Sequence, residues 1–121
     1  MAKKLSFRSR LVKVAAGDSS DILRYPEDGP VRVGERHHIT RCAFEDETTA
    51  CTEVQVNVNR DGVSYPQVEQ LAPVAGYLYW VEEEMVINEG ERLEIYFSEA
   101  TASDNLKAYL SGYLVYPKEG D

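Results

Sequence analysis

An alternation of apolar and polar residues with a period of two recurs along almost the whole chain, while the three-to-four spacing of amphipathic helices is almost absent. Successive side chains of an extended strand point to opposite faces, so this period belongs to sheets with one dry face and one wet face. The clearest unit is Val54, Val56 and Val58 interleaved with Glu53, Gln55, Asn57 and Asn59. Burying each valine contributes about 1.5–3 kcal/mol, and a slip of one residue would turn all three into water, so the pattern itself sets the register. Asn59-Arg60-Asp61-Gly62 follows. Asp-Gly tolerates the positive φ angles of a tight hairpin, which predicts a return strand over 63–65.

Other segments repeat this logic. Over 92–98, Leu93, Ile95 and Phe97 alternate with Glu94, Tyr96 and Ser98, after the turn signal Asn88-Glu89-Gly90-Glu91. Residues 77–87 read as one long or bent strand, with Leu78 and Trp80 on one side and Tyr79, Val81 and Met85 on the other. Over 106–116, Leu106, Ala108, Leu110, Gly112, Leu114 and Tyr116 share one face and Lys107, Tyr109, Ser111, Tyr113 and Val115 the other, as in a central strand covered on both sides. Residues 5–15 form a first strand whose pattern shifts between Phe7 and Val12, as at a bulge or an edge crossing. Residues 36–44 form another, with Ile39 its surest inward residue. Two stretches read as connections: 17–30, with Ile22, Leu23 and Tyr25 folded back onto the core, and 66–76, which carries Pro66, Pro73 and Gly76 and crosses between sheets. About eight strands within 121 residues predict a single all-β domain over 1–121. The expected architecture is a two-sheet antiparallel sandwich of jelly-roll type, with a closed barrel as the alternative.

Charge narrows the partners. The chain carries a net charge of −8, which argues against non-specific contact with nucleic acid, where Lys and Arg must displace the counterions of phosphate. Within residues 1–16, however, Lys3, Lys4, Arg8, Arg10 and Lys13 stand without an acid, giving +5, and the remainder is −13. This segment is expected to be a basic first strand or an arm that docks on an acidic neighbour. The longest apolar stretches are too short to cross a bilayer, and Met1-Ala2-Lys3-Lys4 leads into alternating residues rather than an apolar signal core, so no membrane is expected and a cytoplasmic origin is. If 42–51 formed a hairpin, Cys42 would face Cys51 closely enough for a disulfide, although free thiols are expected in a reducing cytoplasm.

Catalytic and metal signatures are missing. His37 and His38 are adjacent, so a strand sends them to opposite faces, away from any shared metal. Glu82-Glu83-Glu84 lacks the spaced oxygens and glycine-assisted turn of a calcium loop and reads as a solvated strand end. No nucleophile elbow or phosphate-cradling glycine loop occurs, so neither an enzyme nor a cofactor is expected. Aromatic residues remain: Tyr77, Tyr79, Trp80, Tyr96, Tyr109, Tyr113 and Tyr116. Such rings fill sandwich cores and subunit interfaces, or stack on sugars in carbohydrate-binding modules. Tyr79, Tyr96, Tyr109 and Tyr113 are the set expected to be exposed and, with Lys3, Lys4, Arg8, Arg10 and Lys13, to contact a partner.

Four segments of the C-terminal third share a cadence: Gly76-Tyr77-Leu78-Tyr79-Trp80, Val86-Ile87-Asn88-Glu89-Gly90-Glu91-Arg92-Leu93, Ser98-Glu99-Ala100-Thr101-Ala102-Ser103-Asp104-Asn105-Leu106 and Tyr109-Leu110-Ser111-Gly112-Tyr113. Over 76–116 the chain thereby resembles the small β-sandwich accessory proteins of tailed bacteriophage particles, which decorate heads or join head and tail. The resemblance lies in a grammar of strands and turns, not in a catalytic signature. It implies a non-enzymatic virion protein, made in the host cytoplasm, that assembles in several copies, with a trimer favoured, on viral coat protein or other virion subunits. The alternative is a carbohydrate-binding module of a tail or cell-surface protein.

Overall fold

The structure, a computed structural model, describes residues 4–17 and 19–116. These form nine strands: β1 (Lys4–Val14), β2 (Ser20–Tyr25), β3 (Arg36–Asp46), β4 (Glu53–Arg60), β5 (Val63–Leu71), β6 (Tyr79–Val81), β7 (Met85–Ile87), β8 (Glu91–Ser98) and β9 (Asn105–Val115). All pairings are antiparallel and nested: β1 with β9, β2 with β8, β3 with β6 and β7, and β4 with β5. The chain thus pairs with itself as one long hairpin. Two further ladders, β3 with β9 and β4 with β8, roll that hairpin into a sheet ordered β1-β9-β3-β6/β7 (sheet A) and a sheet ordered β2-β8-β4-β5 (sheet B). This is the jelly roll that the alternation predicts.

The dry faces of the two sheets meet in one core. Val54, Val56, Leu93, Ile95 and Phe97 of sheet B pack against Leu11, Ile39, Phe44, Ile87, Leu106, Ala108 and Leu110 of sheet A, all buried. Phe44 and Phe97 meet edge to face across the layers, with centroids 6.4 Å apart and planes at 84°. At the β4–β5 turn, Asp61 (φ 52°) and Gly62 (φ 80°) both take the left-handed conformation of a tight two-residue hairpin, and Asn59 Oδ1 accepts a hydrogen bond from the Gly62 amide.

Several boundaries differ from expectation, each for a local reason. Residues 20–25 are strand, not loop: Asp21, Leu23 and Tyr25 point inward in strict alternation, a pattern masked by the turn-forming residues on either side. The return strand after Gly62 runs nine residues instead of three. Pro66 does not stop it because β5 is an edge strand, and the register steps past Gln67 there (Val56 faces Val68, Asn57 faces Pro66). The 77–87 strand is broken. Exposed Glu82, Glu83 and Glu84 separate β6 from β7, both of which pair with β3.

The expected bulge in β1 is absent, since Lys4 to Val14 pair without interruption with Val115 to Asn105. The bulge lies in β3 instead, where Ile39 faces Gly112 and Arg41 faces Ser111, leaving Thr40 as the extra residue. Before it, His37 and Ile39 point inward; after it, Cys42, Phe44 and Asp46 do. Gly112 makes the bulge possible, for a Cβ there would lie 1.8 Å from the His38 carbonyl oxygen. The 42–51 hairpin does not form either. Cys42 sits in sheet A opposite Val81 and Leu110, and the chain crosses to sheet B before Glu53, leaving both thiols free and buried.

Candidate functional site

With the core closed, each sheet keeps one outer face, and the two faces use their charges differently. On sheet B the polar groups largely satisfy one another. Arg24 Nε donates to Glu94 Oε2 at 2.9 Å, and the Tyr96 hydroxyl donates to Glu94 Oε1 at 3.0 Å and lies 3.4 Å from Ser64 Oγ. Sheet A instead gathers cations. Alternation places Lys4, Arg8 and Arg10 of β1, Arg36 and Arg41 of β3 and Lys107 of β9 on its outer face, with Glu45 as the one carboxylate among the outward positions of its strands. Lys107 reaches Glu47 at 3.0 Å. Among the described residues, Arg8, Arg10, Arg36 and Arg41 take part in no salt bridge.

Register assembles these side chains into rows. Trp80, Ala43, Tyr109 and Arg10 lie side by side across β6, β3, β9 and β1. In the next row Arg41 and Arg8 flank Ser111. With strands about 4.8 Å apart, the backbones of the two arginines stand roughly 10 Å from each other, either side of a small residue. Large side chains around Ser111 and Gly112 leave an open groove of about 1040 Å³, walled by Arg8, Arg10, Arg41, Trp80, Tyr109 and Tyr113. Trp80 is 56% exposed beside it. One row further, His38 stacks on Tyr113 at 4.6 Å and Lys4 Nζ lies 4.7 Å from the same ring, a cation–π contact. Burial first, then the charges of Arg36 and Lys4, lower the His38 pKa against the opposing pull of Glu84, so this stack carries its charge on Lys4.

The structure brings only part of the expected contact set together. Lys4, Arg8, Arg10, Tyr109 and Tyr113 share the sheet A face. Lys3 lies outside the described residues. Lys13 stands on the inward side of β1 and meets the fully buried Asp21 at 3.2 Å, where it offsets a charge inside the molecule. Tyr96 belongs to the opposite face, in the Glu94 network. Tyr79 turns inward, stacking on Phe44 at 5.8 Å while its hydroxyl accepts the Val74 amide at 2.7 Å. All four tyrosines expected to be exposed are half-buried, and the open aromatic residues are Tyr65, Tyr77, Trp80 and Tyr116. Arg36, Arg41 and Trp80 are members of the site that the alternation alone did not single out. Trp80 was recoverable from its parity opposite Val81 and Met85; Arg41 was not, because its direction depends on the bulge at Thr40.

The division between inward and outward cations is measurable. Lys13→Ala is expected to lower stability by about 1–3 kcal/mol, less than for a fully enclosed pair because Lys13 is 41% exposed. Arg8→Ala should stay within about 0.5 kcal/mol of the parent. Urea unfolding of the two variants distinguishes them, and equal losses would refute the assignment.

His37 and His38 take opposite faces as expected. His37 is buried, with Nδ1 2.9 Å from the Tyr25 hydroxyl and Nε2 2.9 Å from Glu35 Oε1. Among the described residues no three His, Cys, Asp or Glu side chains are placed together to hold a metal. No protein-family model, curated protein or solved structure matches the chain.

Proposed function

We propose that this chain is a non-enzymatic structural protein that docks, through the outer face of sheet A, onto an acidic surface of a neighbouring protein. The setting suggested by its C-terminal third is a tailed-phage particle, where it decorates or cements the capsid or joins head and tail. The observation that carries the reading is the gathering of arginines that take part in no salt bridge among the described residues, beside exposed Trp80, on one face of a chain whose net charge is −8. Arg, Trp and Tyr are the residues that carry most binding energy where proteins meet, and a planar guanidinium pairs with carboxylates through two parallel hydrogen bonds. Nucleic acid fits less well, because the acidic remainder of the chain repels a phosphate backbone.

The test is charge reversal on the face. Arg8→Glu, Arg10→Glu and Arg41→Glu together should weaken retention on particles that lack the protein by roughly 100-fold or more, while leaving the melting temperature within a few degrees of the parent. Co-sedimentation with such particles gives the first quantity and circular dichroism the second. Unchanged retention would count against this face as the docking surface.

One observation favours a second reading. An open groove with exposed Trp80 beside Tyr109 is also the form of a sugar-stacking platform. A carbohydrate-binding module would show measurable affinity on a glycan array, lost in Trp80→Ala; an assembly protein would show none with Trp80 intact.

A further inference from the structure

Away from the sheet A face, one end of the sandwich holds two buried carboxylates side by side. Asp46 closes β3 and Asp104 stands just before β9; both are about 95% buried. Their side chains adjoin at the end of the β3–β9 ladder, close enough for the charge of Asp104 to raise the Asp46 pKa. Thr49 serves Asp104 twice, its amide donating to Oδ2 at 2.9 Å and its hydroxyl to Oδ1 at 3.4 Å. Asp46 is served by nothing: neither of its oxygens has a hydrogen-bond partner, and the Thr48 and Thr49 amides draw near without completing one. Burial, and then the adjoining Asp104, push the Asp46 carboxyl up to about 7.

A buried carboxylate without a donor is costly, and two in contact repel. The backbone nevertheless holds them together with a full set of bonds. The Glu47 amide donates to the Asn105 carbonyl at 3.1 Å, the Gly76 amide to the Asp46 carbonyl at 2.8 Å and the Ala15 amide to the Asp104 carbonyl at 2.8 Å. Two buried carboxyl groups, the Asp46 one without a hydrogen-bond donor, and the Thr49 hydroxyl thus lie together where backbone hydrogen bonds join four chain segments. Buried Cys51 directs its Sγ to the Glu53 carbonyl, 3.8 Å away. An all-oxygen set suits a hard cation, whose charge would offset that of both acids and whose remaining positions carbonyls or water can fill.

We infer that Asp46 and Asp104, with the Thr49 hydroxyl, form a binding site for one calcium-like divalent cation that ties the 47–52 and 99–104 loops together at the end of the sandwich. The site is independent of the docking reading and would stand if that failed. In thermal melts at pH 7.5 after chelator treatment and desalting, a few millimolar calcium should raise the melting temperature by about 5 °C, and magnesium by less. Terbium should give sensitised luminescence that calcium displaces. Asp46→Asn and Thr49→Val should each abolish the calcium response, with Thr49→Val keeping both carboxylates should Asp46→Asn prove too stable or too unstable to compare. A chain whose melting temperature moves by less than 1 °C with calcium and that gives no terbium signal would overturn the proposal, leaving the two acids to share a proton only.

Discussion

Gly112→Ala should abolish the folded domain or lower its stability by more than about 4 kcal/mol. The added Cβ would sit 1.8 Å from the His38 carbonyl oxygen and 3.1 Å from the Ile39 Cα, both backbone atoms of the neighbouring strand. No side-chain rotation relieves such a clash, so β3 and β9 must part at the centre of sheet A. Parting them dismantles the ladder on which β1, β6 and β7 also depend. Gly62→Ala makes the useful contrast: its φ is 80° and nothing lies within 4 Å of the new atom, so only backbone strain of about 1–2 kcal/mol is expected. Soluble yield and urea unfolding of the two variants check the pair, and comparable losses would show that strand proximity at Gly112 is not what restricts it to glycine.

Phe97→Ala is the second large effect, with an expected loss of about 3–5 kcal/mol and a fall in melting temperature on the order of 15 °C. Phe97 is fully buried on β8 and meets Phe44 of the opposite sheet edge to face. Truncation removes the apolar area, the aromatic contact and the filling of the space between layers at once. Two paired sheets bound the cavity, so it collapses only partly. Phe97→Leu should recover more than half of the loss. A variant at position 97 that melts with the parent would mean that the two sheets are not held by this contact.

Much of this architecture is legible in the amino-acid order because burial on one side of a strand writes a two-residue period into it. Val54, Val56 and Val58, then Leu93, Ile95 and Phe97, announce their inward faces and are all buried. Strand β2 is obscured because six residues between turn-formers leave little room for a period to declare itself. Strand β3 is obscured for another reason: its parity reverses at Thr40, so Ile39 and Phe44 are inward together despite an odd separation. For the candidate site, the basic character of β1 is plain in the sequence, but its partners are not. Arg41 and Trp80 reach Arg8 and Arg10 only through the β9 ladder, a pairing between residues some 70 and 100 positions apart along the chain. Tyr79 misleads because its neighbour Trp80, the larger ring, faces outward while Tyr79 stacks on Phe44.

The extra residue in β3 ties the shape of the molecule to the placement of its charges. Because side chains downstream of Thr40 owe their direction to that single bulge, a strand of the same length paired without it would send Arg41 inward and Phe44 out to solvent in one stroke. Exchanging one side chain for another therefore retunes the basic face, while loss of Thr40 itself would leave Ile39 and Phe44 inward and Arg41 outward, since regular alternation then supplies the same faces.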